Sequence, residues 1–119
     1  MTTSTATPSI RTVIYPVSDL DQAKALFGAI LGTAPVMDQP YYVQFNADGQ
    51  EIGLDPNGAG KGLTGPVGYW HVSDIRTTLD KLVAAGAKEH QGVQDVGGGR
   101  LVAIVADAAG NLIGLLQPA

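Results

Sequence analysis

Few residues in this chain can carry chemistry. It has two histidines, His71 and His90, and no cysteine. Absence of cysteine excludes a thiolate nucleophile, a disulfide framework and Cys-ligated zinc or iron–sulfur centres. His71 ends the run Tyr69-Trp70-His71. Its imidazole could act as a base near neutral pH or donate a hydrogen bond, although a histidine at a strand end also bonds to backbone. His90 lies in Lys88-Glu89-His90 and reads as solvated. Glu51 and Asp55 bracket Ile52-Gly53-Leu54. Either acid could serve as a base or hold a cationic or hydroxyl-bearing group, or both could be plain hairpin-end acids. Arg100 follows Gly97-Gly98-Gly99 and could meet a carboxylate or phosphate, or lie on the surface. The triple glycine lacks the spacing of a phosphate loop and leads into no helix, so it reads as a sharp turn. Ser18 and Ser73 precede helices and read as caps, not nucleophiles.

These residues need elements to position them. Arg11–Val17 is β-branched and aromatic, hence a strand. Ser18-Asp19-Leu20-Asp21 opens a helix whose apolar residues Leu20, Ala23, Leu26, Phe27, Ile30 and Leu31 recur at helical spacing up to Gly32. Three strands follow at Ala34–Met37, Tyr41–Asn46 and Gln50–Asp55, the last two joined by the turn Ala47-Asp48-Gly49. A Gly/Pro/Asn loop, Asp55–Gly65, marks the midpoint. The order then returns: a strand at Pro66–Val72, a helix from Ile75 to Ala85, and strands at Ala87–Val93, Gly99–Ala106 and Asn111–Leu116.

The repeat is also visible in letters. Val17-Ser18-Asp19-Leu20 matches Val72-Ser73-Asp74-Ile75, and Gly49-Gln50-Glu51-Ile52-Gly53-Leu54 matches Gly110-Asn111-Leu112-Ile113-Gly114-Leu115. Two matches in one order indicate equivalent modules. The expected fold is therefore α+β, two βαβββ modules whose sheets join around a concave cleft with the helices outside. Module one spans about 10–57, a linker about 58–65 and module two about 66–117. Met1–Ser9 reads as a polar tail with no signal-peptide character. With 119 residues the chain fits one domain, residues 10–119. A net charge of −4 without a Lys/Arg cluster excludes nucleic acid and anionic membrane as partners. No apolar run approaches the ~20 residues of a membrane span, so a cytoplasmic protein is expected.

Three segments carry a family resemblance: V-x-Y-P-V-S-D-L-D-Q-A-K-A-L-F with L-G, H-V-S-D-I through A-A-G-A, and D-A-A-G-N-L-I-G-L. In order and spacing they resemble the glyoxalase / bleomycin-resistance / extradiol-dioxygenase (vicinal oxygen chelate) superfamily over about Ile10–Gln117. The resemblance implies paired βαβββ modules and a homodimer. It also implies four metal-ligand positions, which here hold Thr12, Gly53, Val67 and Gly114. Valine and glycine offer no ligand and threonine a weak one, so no metal and no cofactor are expected.

Strand alternation and parity with the family name the cleft-facing residues. They are Ile14, Glu51, Gly53, Asp55, Tyr69, His71, Arg100, Val102, Ile104 and Gly114, together with Tyr42; whether Tyr41 or Tyr42 faces the cleft stays open. Parity places Trp70 in the helix–sheet core with Tyr15, with a stacking platform as the alternative. Two glycines in the floor should enlarge the cavity. The expected function is metal-free binding of a partly apolar small organic molecule, for sequestration or resistance. The alternative is a metal-independent lyase or isomerase with His71 or Glu51 as its base. A third reading is a protein whose function is its dimer interface.

Overall fold

The computed structural model describes residues 8–119; the polar tail expected at the N-terminus lies, over residues 1–7, outside the described residues. The chain is α+β and divides into two compact units, Arg11–Gly68 and Tyr69–Ala119, with Ser9 and Ile10 falling to the second.

In the first unit, β1 (Ser9–Pro16) is followed by α1 (Leu20–Leu31) and by β2 (Met37–Gln39), β3 (Tyr42–Ala47) and β4 (Gln50–Asp55). The strands lie in the order β2-β3-β4-β1, with β1 parallel to β4 and the other pairs antiparallel. Asp19, not Ser18, caps α1: its carboxylate accepts from the Gln22 N–H at 3.0 Å. Gly32 closes the helix in the left-handed region. The α1 face packs Ala23, Leu20, Phe27 and Leu31 on Tyr15, Val43, Phe45, Ile52 and Leu54. Tyr15 and Phe27 meet with ring centres 4.8 Å apart and ring planes tilted by 51°. Asp48 and Gly49 both have positive φ, 50° and 76°, the backbone that a two-residue hairpin needs.

β2 starts later than its sequence suggests. Pro35 has no N–H to donate, and pairing with β3 becomes regular only at Met37–Gln39. Asp55–Gly65 contains a short 3-10 turn, Ala59–Lys61, which packs Gly58 against Pro16.

The second module repeats the plan with β5 (Val67–His71, whose first two residues fall to the first unit), α2 (Ile75–Ala84), β6 (Lys88–Asp95), β7 (Leu101–Ala106) and β8 (Leu112–Gln117). Its strand order is β5-β8-β7-β6, with β5 parallel to β8. Asp74 caps α2 through the Thr77 N–H, and the Gln117 side chain takes the Ile75 N–H at 2.9 Å. The core joins Ile75 and Leu79 to Val72, Ala103, Val105 and Leu115. Gly97, Gly98 and Gly99 all have positive φ, which accounts for the glycine run as a turn between β6 and β7.

Candidate functional site

Within each unit the helix covers one sheet face, and the candidate residues lie on the other. In module one the register pairs Thr12 with Glu51 and Ile14 with Gly53 across β1 and β4. Across β3 and β4 it pairs Gln44 with Gly53 and Asn46 with Glu51. Val43 and Phe45 point into the helix-side core, so alternation places Tyr42, Gln44 and Asn46 on the opposite face. Glu51 accepts a 2.9 Å hydrogen bond from the Thr12 hydroxyl, and Thr12 is 2% exposed. Gln44 donates its amide to Asn46 at 2.9 Å. A shallow depression lined by Asn46 to Glu51 sits at the turn end of this hairpin. The face is therefore polar. Its amides, Gln44 and Asn46, were legible from alternation with Val43 and Phe45 but carry no motif.

Module two presents a different chemistry. Tyr69 pairs with Gly114 and His71 with Leu116 across β5 and β8, while Ile104 and Val102 pair with the same two β8 residues from β7. Tyr69, Ile104 and Leu116 are buried, and His71 and Val102 are half-buried. Arg100 is half-buried and stands in the turn before β7, not on the strand: its N–H donates to the Gly97 carbonyl at 3.1 Å.

Three expectations are corrected here. The glycines at 53 and 114 do not enlarge a cavity. A Cβ at Gly53 would collide with the Tyr42 hydroxyl and lie 2.8 Å from its Cζ. A Cβ at Gly114 would lie 2.6 Å from Tyr69 Cδ2 and 2.7 Å from Cγ. Each glycine is thus covered by a tyrosine, and Tyr42 rather than Tyr41 occupies this face; Tyr41 is exposed. Asp55 is not a free rim acid. It is 5% exposed, accepts from the Asn57 N–H at 2.8 Å, and pairs with Lys61 at 2.7 Å. Trp70 is not in the core. It shares the helix side with Leu115, but α2 packs chiefly over β6, β7 and β8, and Trp70 on β5 is 38% exposed. His90 is exposed on β6, in line with its charged run.

Comparison with known proteins gives the frame for these positions. The model of the Glyoxalase/Bleomycin resistance protein/Dioxygenase superfamily matches residues 9–115. The chain belongs to this superfamily.

A superfamily member from Vibrio splendidus superposes with a TM-score of 0.72 at 17% identity, covering 95% of this chain and all of its own. Methylmalonyl-CoA epimerase from Mycobacterium tuberculosis gives 0.70 at 21% identity, over 100% of this chain and 93% of that one. A Mn(II)-bound glyoxalase from Novosphingobium aromaticivorans gives 0.68 at 21%, over 91% of this chain but 38% of that one. At these identities the likeness is one of fold. No protein of curated function matches the sequence.

The donor set does not fit the metal of the superfamily's metalloenzymes. Thr12 and Val67 are 2% and 1% exposed, and Thr12 spends its hydroxyl on Glu51. Gly53 and Gly114 have no side chains, and tyrosine rings fill the space where one would begin. Among the described residues no group of three or more His, Cys, Asp or Glu comes together. Among them, too, no helix is long and apolar enough to cross a membrane.

Proposed function

We propose that this chain is a metal-free member of the superfamily that binds a partly apolar small organic molecule on the helix-free sheet faces. One observation carries the reading: at both strand positions assigned to acidic ligands a glycine lies under a tyrosine. Divalent ions need convergent carboxylate or imidazole donors, which valine, glycine and a committed threonine do not supply. Within module one the half-buried Gln44 and Glu51 offer polar contacts, and within module two the half-buried His71 and Val102 offer a hydrogen-bonding and an apolar group side by side with the strand backbone. Sequestration or resistance is the role that such binding serves. By the same resemblance we propose a homodimer, which sedimentation would read.

The test uses protein prepared without chelator. Elemental analysis should find no stoichiometric divalent ion, and a thermal-shift screen of small organic compounds should find ligands that raise the Tm. A divalent ion bound one per chain by side chains on these faces would sink the proposal.

The Thr12–Glu51 hydrogen bond favours a second reading. A carboxylate held in place by a buried hydroxyl is the arrangement a general base needs, with His71 as the other candidate. A metal-independent lyase or isomerase would then lose turnover in Glu51→Gln or His71→Gln while the fold persisted. Recovery of every bound compound unchanged after long incubation overturns it.

A further inference from the structure

We propose that Tyr42 and Tyr69 act as exclusion residues. Each ring fills the volume into which a side chain at 53 or 114 would project, so neither position can carry a metal-ligating group while its tyrosine stands. The proposal deepens the metal-free reading and rests on it for the meaning of these two positions.

The two modules reach this state by different routes. In module two, Tyr69 comes from β5 and lies directly opposite Gly114 in the parallel pair. The close atoms are Cδ2, Cγ and Cε2, at 2.6, 2.7 and 2.9 Å from the site of a Cβ. Cγ is the ring's point of attachment, so rotation of the ring about its own axis cannot remove this contact. Tyr69 is also 4% exposed, so its ring stands among packed neighbours. In module one the register equivalent of Tyr69 is Ile14, and the cover comes instead from β3. Tyr42 sits two residues from Gln44, the partner of Gly53, and reaches diagonally so that its phenol end meets the glycine. Position 114 is closed by the base of its tyrosine ring and position 53 by the phenol end of its own. A cross-strand aromatic over a strand glycine also shields the bare backbone, which gives each pair a stabilising role of its own.

The experiment is a pair of double-mutant cycles on the full chain, read by thermal melts. Gly114→Ala and Gly114→Glu are made with and without Tyr69→Ala, and Gly53→Ala and Gly53→Glu with and without Tyr42→Ala. Gly114→Ala should lower the Tm by roughly 5 °C or more, and Gly53→Ala by less. Each tyrosine removal should make the paired glycine substitution cheaper, so that the double variant melts above the sum of the single losses. Additive losses in both cycles overturn the proposal. If Gly114→Glu does not fold, the alanine cycle alone decides. Elemental analysis of the wild-type chain is run alongside. One divalent ion per chain there defeats the metal-free reading, while coupling or additivity in the cycles still reports on the tyrosines.

Discussion

Thr12, at 2% exposed, donates its hydroxyl to the Glu51 carboxylate at 2.9 Å, joining the first strand of module one to its last. Thr12 thereby supports a neighbouring acid. Thr12→Val keeps the shape and removes the donor, leaving a half-buried carboxylate short of one hydrogen bond. The expected loss is about 1–2 kcal/mol. Glu51→Gln retains an amide oxygen to accept from Thr12 and should cost less. Urea unfolding of both variants, compared at equal m-value, checks the order.

The covered glycines predict an asymmetry in stability. Gly114→Ala drives a methyl into the base of the Tyr69 ring, an overpacking expected to cost about 1–3 kcal/mol. Gly53→Ala meets the phenol end of Tyr42, the far end of its side chain, and should cost less than Gly114→Ala. A crystal structure of Gly53→Ala should show Tyr42 in a different rotamer. Equal losses for the two variants would contradict the distinction between a ring base over Gly114 and a phenol end over Gly53.

Asp55 and Lys61 make a different kind of prediction, because only one partner is buried. Asp55 is 5% exposed while the Lys61 side chain is 58% exposed. Removing the lysine leaves a buried carboxylate with less compensation, whereas removing the acid's charge leaves a lysine that water solvates. Lys61→Met should therefore destabilise more than Asp55→Asn, whose amide oxygen can still accept from the Asn57 N–H. A loss of about 1–3 kcal/mol is expected for the lysine variant. Chemical denaturation gives the comparison. The reverse order would mean that the carboxylate is held by the loop backbone and owes little to Lys61.

Much of this fold was legible in the sequence, and the reason is local. Asp19 and Gly32 bound α1, Asp48-Gly49 sets the β3–β4 turn, and the paired Gly-x-x-Ile-Gly-Leu segments align the two last strands. Each signal lies within a few residues of what it determines. Strand parity also placed Ile14 beside Gly53 and Tyr69 beside Gly114 on common faces. What parity omits is which side chain leans over a glycine, since that depends on rotamers across strands far apart in sequence. Trp70 illustrates the same limit. Its face was right, but the lateral reach of α2 is set by packing on β6–β8, which no pattern around Trp70 records. The burial of Asp55, which fits neither a free base nor an exposed hairpin-end acid, has no local signal because its partner Lys61 is brought to it by the Ala59–Lys61 turn.

Acid sensitivity should trace in part to two carboxylates, one capping α2 and one in the β7–β8 turn. Hydrogen bonds from the Thr77 backbone and side chain hold Asp74 below its ordinary value of 3.8, and those from the Asn111 side chain and backbone do the same for Asp107. In the folded chain both groups bind protons less readily than in the unfolded chain, so the unfolded state takes up protons first as pH falls. Their stabilising contributions are complete above about pH 4. They fade as pH drops through the lowered folded values. Asp74→Asn keeps a capping oxygen for the Thr77 N–H and should leave neutral-pH stability nearly unchanged, because asparagine caps as well as aspartate. Its effect should appear as a shallower loss of Tm as the pH falls below about 4, and Asp107→Asn should act the same way in the β7–β8 turn. Thermal melts across that range decide the point. A wild-type profile as flat as that of the double Asn variant would show that neither carboxylate is linked to folding.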